Sequence, residues 1–281
     1  MKFSVLGPAG TFADAAAKAY LKQHPITDIE LDYHATFDQV YQAVEPDGIG
    51  LLPLENQLDG FVLATLQRLQ VADVTEIGEV TVPVNFGLAG RVTQLTDIKR
   101  IFAQFKTEGQ CQKLLSQLPN AQIITTSSNM ISVEKLQSGE PGDAAIIPQS
   151  QMAVQEFPFK LDNVADQDDN ATRFIIFKKK PAPLVLPVTS TVGATQRTYK
   201  YPLFITPPTE EPGVLYQILS YLAQSKLNLV TIMSLPTRQQ IGIYAFYIEI
   251  SITADQQASL FDTLNEMNQH YQIHPLGFYA V

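Results

Sequence analysis

Thr172 and Arg173 stand where a polar, acid-rich loop turns into an apolar run, DNATRFIIFKKK from Asp169 to Lys180. A threonine hydroxyl both accepts and donates a hydrogen bond, and the planar guanidinium of arginine fits a carboxylate or braces an acidic loop. Three further stretches, GPAGTFA from Gly7, PLENQLDG from Pro53 and TTSSNM from Thr125, read as strand ends running into helix starts. A helix N-terminus carries unpaired amides and a partial positive charge, which suits a carboxylate or phosphate. Thr11, Ser127, Ser128 and Asn129 add hydroxyl and amide groups at such positions. Glu55 and Asn56 end an apolar strand, the carboxyl edge from which α/β sheets present ligand groups. The chemistry of this set is the capture and orientation of a small anion. The same residue types also serve as ordinary helix caps, and Glu55 and Asn56 also read as a plain turn.

Composition narrows the field. The chain has 281 residues, enough for two or three domains, and its net charge of -9 argues against a protein that holds polyanions. The single cysteine, Cys111, forms no internal disulfide and fits a reducing compartment. In MKFSVLG only five residues separate the lysine from Pro8, too short for a signal-peptide apolar region, and no apolar run reaches the ~18 residues of a membrane span. The expectation is a soluble, cytoplasmic protein. DNVADQDDN, Asp162 to Asn170, lacks the central glycine and closing glutamate of a calcium loop. His270 and His274 flank a strand onset, and GPAG has neither dinucleotide nor Walker spacing. No metal and no cofactor are expected.

The elements that must position these residues follow from periodicity. KFSVLG predicts a strand, and TFADAAAKAYLKQH a helix opening near Thr11. GIGLLPLEN and GFVLATLQRLQ repeat the strand-then-helix order, which predicts an α/β lobe with a largely parallel sheet. Near Glu76 the run EIGEVTVPVNFGLAG predicts a strand crossing to a second lobe, built from IKRIFAQ through GDAAIIPQSQMAVQEF. DNATRFIIF then returns to the first lobe and places Thr172 at the crossover, beside a cleft. Residues 181–198, rich in Pro, Ser and Thr, predict a linker. The remainder predicts βαββαβ, the ferredoxin-like order, with Leu215, Ile218, Leu219 and Leu222 on one helix stripe and Leu260, Leu264 and Met267 on the other. Helices on one side of that sheet would leave its other face and its edges for a second copy.

In this order, GPAGTF, PLENQLDG, QC at Gln110 and Cys111, DAAIIP near Ala144, NVADQDDNATRF and the ferredoxin-like tail resemble prephenate dehydratase with a C-terminal ACT regulatory domain, over nearly the whole chain. The resemblance implies a catalytic portion, residues 1–180, of two lobes like the type II periplasmic-binding-protein fold. Lobe one would take about 1–76 plus 170–180, lobe two about 77–169, and the ACT domain 199–281. It implies decarboxylative dehydration of prephenate to phenylpyruvate without a cofactor, in a cleft formed by Thr11, Glu55, Asn56, Gln57, Ser127, Ser128, Asn129 and Phe174. Thr172 would assist the leaving hydroxyl, Arg173 would hold the loop or the substrate, and Phe174 would anchor the strand. Arogenate or a broader cyclohexadienyl substrate is the near alternative, and a non-catalytic sensor using the same cleft is the other. A homodimer or homotetramer is implied.

This sequence departs from the family pattern at several points. Gln57 replaces the serine of E-N-S, Ser128 replaces a threonine in SSNMI, and QFKTEGQC replaces H-P-x-A-L-x-Q-C. The family's phenylalanine-sensing turn G-A-L-V appears as GVLY, with Gly213, Val214 and Leu215, and its E-S-R-P as Met233, Ser234, Leu235 and Pro236. Without the acidic and arginine positions of that stretch, the expected response to phenylalanine is weak or altered.

Overall fold

The computed structural model describes residues 1–154, 156–179, 197–209, 211–237 and 242–281. The chain opens with β1 (Lys2–Leu6), α1 (Phe12–Gln23), β2 (Glu30–His34), α2 (Phe37–Ala43), β3 (Ile49–Asn56), β4 (Gly60–Phe61), α3 (Leu63–Leu69) and β5 (Val74–Pro83). A second group follows: β6 (Phe86–Gly90), β7 (Arg100–Gln104), α4 (Phe105–Gly109), α5 (Gln112–Leu115), β8 (Gln122–Thr126), α6 (Asn129–Gln137), β9 (Asp143–Pro148), α7 (Gln149–Val154) and β10 (Phe159–Leu161). After β11 (Ala171–Lys179) come β12 (Thr198–Thr206), α8 (Val214–Gln224), β13 (Asn228–Pro236), β14 (Tyr244–Thr253), α9 (Gln257–Met267), β15 (Gln272–Pro275) and β16 (Tyr279–Ala280). The predicted linker lies outside the described residues up to 196, and Thr198 already opens β12.

The first sheet runs β2, β1, β3, β11, β5, with β4 on β3, and the second runs β10, β6, β9, β7, β8. Both are α/β sheets of mixed direction, a correction to the largely parallel expectation. β1 pairs parallel with β2 and β3, whereas β11 is antiparallel to both β3 and β5. The reason is connectivity: β5 leaves the first lobe and β11 comes back to it, so the two crossover strands run in opposite senses. The single strand expected over EIGEVTVPVNFGLAG is divided at Val84 and Asn85, and its halves belong to different sheets.

The third sheet runs β13, β14, β12, β15, all antiparallel, with β16 on β12. One face carries α8 and α9 over Tyr201, Leu203, Ile248 and Ile250. Ile218 and Leu222 of the predicted stripe are buried there, while Leu215 is exposed at the start of α8. The other face, expected to be free for a second copy, is covered. Phe204, Leu235, Ala245, Tyr247 and Leu276 form one core with Leu52, Leu54, Leu66, Leu69, Val74 and Phe177 of the first lobe. The physical reason is the composition of β12 and β14, which carry apolar residues on both faces and so must be covered on both.

The seam is tight. Glu76 N donates to Leu276 O at 2.6 Å, and Gly277 lies so close that a Cβ there would run into the Glu76 carbonyl. Glu76 itself is fully buried, and neither carboxylate oxygen has a hydrogen-bond partner among the described residues. Burial, and next to it the charge of Glu249, push its carboxyl from 4.5 up to about 8. Between those values the folded chain keeps a proton that the unfolded chain has lost, so a rise in pH favours unfolding, by at most about 1.4 kcal/mol per pH unit. Glu76→Gln is therefore expected to flatten the fall in stability from pH 5.5 to pH 8, measured by urea unfolding at each pH. An unchanged slope in the variant would remove Glu76 as its source.

Candidate active site

A cleft opens between the first two sheets at the carboxyl ends of their parallel strands. Its outer part, about 680 Å³, is lined by Leu6, Gly7, Thr11, Tyr33 and His34 on one side and by Gln104, Ser127, Ser128, Asn129 and Pro148 on the other. A deeper part of about 290 Å³ adds Asn56, Lys106, Thr107, Gln110, Thr172 and Phe174 and shares Thr11, Gln104 and Asn129 with the outer one. The N-termini of α1 and α6 therefore approach the cleft from opposite lobes. Thr11 Oγ1 accepts from Asp14 N, and Ser128 Oγ accepts from Ile131 N, so both residues cap their helices while lining the cleft. The two readings of these residues are compatible.

The loop before α1 is held from behind. Asp14 is buried, accepting from Gly10 N at 2.8 Å, Lys18 Nζ at 2.8 Å and Tyr33 Oη at 2.6 Å. Burial alone would raise its pKa, but Lys18, Tyr33 and the Gly10 amide outweigh it and keep the carboxylate ionised to lower pH than usual. Gly10 adopts a φ of +90°, and Gln151 of the second lobe donates to its carbonyl at 3.3 Å. On the opposite wall Thr107 Oγ1 donates to Asn129 Oδ1 at 2.7 Å, while Lys106 Nζ reaches Asp59 at 2.9 Å across the lobes.

Asn56 organises the floor. Its Oδ1 accepts from Leu58 N and Asp59 N, and its Nδ2 donates to Asn170 Oδ1 at 2.9 Å, Ala171 O at 3.1 Å and Thr172 Oγ1 at 2.9 Å. Because Thr172 accepts from Asn56, its own O–H is left to donate, and the residue lines the cleft. Phe174 shares that face and is buried beside it.

Several expected ligand residues lie elsewhere. Successive strand residues point to opposite faces of a sheet, and the register pairs Thr172 with Asn56 and Arg173 with Glu55. Arg173 and Glu55 accordingly face away from the cleft, toward the third sheet, where Arg173 Nη2 donates to Glu55 Oε2 at 2.7 Å and Nη1 to Glu249 Oε1 at 2.7 Å. Neither side chain lines the cleft. Gln57 is exposed and donates to Asp169 at 3.2 Å, so its amide braces the loop before β11 and leaves the cleft unfilled. The acids of DNVADQDDN are used in the same structural way: Asp166 accepts from the amides of Gln112 and Lys113 at the start of α5.

Of the residues expected to meet an effector, Met233 and Leu235 pack into the core shared with the first lobe. Leu235 is buried, and Met233 is partly buried against that core. Gly213, Ser234 and Pro236 are exposed, and Gly213 takes a φ of +90° ahead of Val214 and Leu215 at the start of α8. Lys106, Thr107, Gln104, Tyr33 and His34 line the cleft without having been singled out in the sequence. The stretch QFKTEGQ, which carries the first three, stood out in the sequence only as a departure from the family pattern.

Two mixed α/β lobes, helix N-termini facing across the cleft and a hydrogen-bonded Thr-Asn pair on its floor define a two-lobed protein built to hold a small anion. Residues 3–182 match the family model described as prephenate dehydratase. The chain belongs to the prephenate dehydratase family. It is 25% identical to the prephenate dehydratase of Methanocaldococcus jannaschii over 279 residues, 98% of this chain and 96% of that one. The structure of a prephenate dehydratase from Arthrobacter aurescens in complex with L-Phe is similar with a TM-score of 0.79 at 29% identity, covering 100% of this chain and 90% of that one. A quorum-quenching acylase has the same fold to a TM-score of 0.79 at 23% identity, covering 100% of this chain and 98% of that one. Fold alone therefore does not select the reaction.

Proposed function

We propose that this chain is a prephenate dehydratase, forming phenylpyruvate, carbon dioxide and water from prephenate in the synthesis of phenylalanine. The observation that carries the reading is Thr172, which accepts from Asn56 at 2.9 Å and keeps its own proton for a group in the cleft. In the reaction the ring carboxylate leaves as carbon dioxide and its bonding electron pair enters the ring. The ring C–O bond breaks, and the departing hydroxyl takes up a proton to become water. Aromatisation drives both cleavages, so the protein has to orient a dianion and stabilise charge on the leaving oxygen. Thr172 donates to that oxygen, with solvent as the ultimate proton source. The N-termini of α1 and α6, Ser127, Ser128 and Lys106 receive the carboxylates. This route needs no cofactor.

The test is phenylpyruvate formation by the purified protein, with prephenate and arogenate offered separately. Turnover of prephenate supports the reading, and turnover of arogenate alone reassigns the substrate. A rise in melting temperature with prephenate and no product from either would replace catalysis by binding.

The C-terminal unit, 199–281, completes the reading as an ACT-type regulatory domain, with 1–76 plus 170–180 and 77–169 as the two catalytic lobes. Its strand order supports this, as does the L-Phe complex of the Arthrobacter aurescens relative. Strand β13 is an edge, and Val230 and Ile232 on it are 45% and 38% exposed, which favours pairing with a second copy in a homodimer or homotetramer. The single, buried thiol of Cys111 fits a reducing compartment such as the cytoplasm. With Met233 and Leu235 turned into the core, phenylalanine is expected to inhibit weakly. Inhibition curves at saturating prephenate check this, and strong inhibition at micromolar phenylalanine would contradict it.

A further inference from the structure

Behind the catalytic strand lies a charge cluster that the dehydration chemistry does not use. The Arg173 guanidinium, 11% exposed, is held by carboxylates from three strands: Glu55 on β3, Glu79 on β5 and Glu249 on β14. Lys200 on β12 closes the cluster with two contacts of 2.7 Å to Glu79, and Tyr279 also donates to Glu79. Burial by itself would raise Glu79, but Lys200 and Arg173 prevail and hold it below its ordinary value. Three of the groups, Glu249, Lys200 and Tyr279, belong to the third sheet.

Glu249 is fully buried, and its Oε1 accepts from both Arg173 at 2.7 Å and Tyr247 Oη at 2.8 Å. Arg173 and Glu55 form the cross-strand pair next to Thr172 and Asn56, and the ladder between β3 and β11 shifts register immediately after Arg173. A strand at a register shift is not held in place by a regular ladder alone. On its other side β11 keeps a regular ladder with β5 from Ala171 to Ile176, so the irregularity is confined to the β3 side; there the guanidinium ties β11 to Glu55 of β3 and to Glu249 of β14, and its neighbour on the opposite face is the hydroxyl that must meet the leaving oxygen.

Building on the assignment of Thr172, we propose that Glu249 is a positioning residue for the dehydration step: anchored in the C-terminal sheet, it fixes Arg173 and through the backbone of β11 sets the aim of Thr172. The C-terminal unit is thereby part of the active-site scaffold, and any displacement of its sheet would be felt one residue from the reacting hydroxyl. Small misplacements of a reacting group cost up to about a hundredfold in rate while binding survives.

The full-length chain with Glu249→Gln tests this. Glutamine keeps the shape and the Tyr247 contact but removes the charge that binds Arg173. The expected result is a fall in kcat of about tenfold, with KM for prephenate within about twofold of the parent and a cooperative thermal transition retained. Glu249→Asp, which restores the charge on a shorter stem, is expected to recover part of kcat. Parental kcat in Glu249→Gln overturns the proposal, as does a fall confined to KM. Should Glu249→Gln fail to fold, Arg173→Lys replaces it: lysine keeps the charge but loses the fork, and parental kcat there is equally fatal. Thr172→Ala is run beside them. If it turns over normally, the assignment of Thr172 falls and this proposal with it; if it is inactive while Glu249→Gln is not, this proposal alone falls.

Discussion

Thr172→Val is expected to lower kcat for phenylpyruvate formation by about a hundred- to a thousandfold and to leave KM within a few fold, the range found when one preorganised donor to a developing oxyanion is removed. Valine matches threonine in shape, so the packing beside Phe174 is kept. What disappears is the hydroxyl to which Asn56 donates and which lines the deeper part of the cleft. The ground-state substrate loses little, because its neutral ring hydroxyl binds water or threonine almost equally well. The transition state loses more, because charge then gathers on the departing oxygen, to which a fixed donor is worth more than to the neutral hydroxyl. Steady-state kinetics with prephenate distinguish the outcomes. A loss carried by KM with kcat preserved would make Thr172 a binding group and move the donor elsewhere in the cleft.

Lys106→Met is expected to raise KM for prephenate by about tenfold, with a smaller change in kcat. A charge-assisted hydrogen bond contributes about 1.5–3 kcal/mol, and the exposure of this side chain, 62%, puts the effect at the lower end of that range. Lys106 lines the deeper cleft, and its ammonium reaches Asp59 of the facing lobe at 2.9 Å. A substrate carboxylate entering there exchanges one anionic partner for another without leaving the lysine unpaired. Methionine keeps the length of the stem and removes the charge. In the parent, KM should also rise with ionic strength, and this salt dependence should be weaker in the variant. Equal KM values for parent and variant at low salt would show that the helix N-termini alone receive the carboxylates.

Much of the cleft was legible in the sequence because it is built from local signals. Thr11 and Ser128 follow strand ends and open helices, and caps are written in adjacent residues. Lys106 and Thr107 carry no such signal. They follow β7 in a helix of five residues, too short to have a periodicity of its own. Alternation along β11 did imply that Thr172 and Arg173 face opposite sides, but it carried no information about which side was the cleft. The motif left Arg173 to hold either the loop or the substrate. The fold places it against Glu249, 76 residues away in the chain.

The sequence by itself determined the α/β lobes, the late βαββαβ unit, the helix starts that approach the cleft and the family, because periodicity, caps and motifs in fixed order are properties of neighbouring residues. Only the tertiary structure decided that Asn56 meets Thr172 across 116 residues, that Met233 and Leu235 turn inward, and that the C-terminal sheet rests on the first lobe with Glu249 against Arg173. Those pairings depend on which faces of separate sheets are pressed together. Burial on both sides of β12 and β14 and the opposite charges at the seam select that arrangement, and they act only once the distant strands have met.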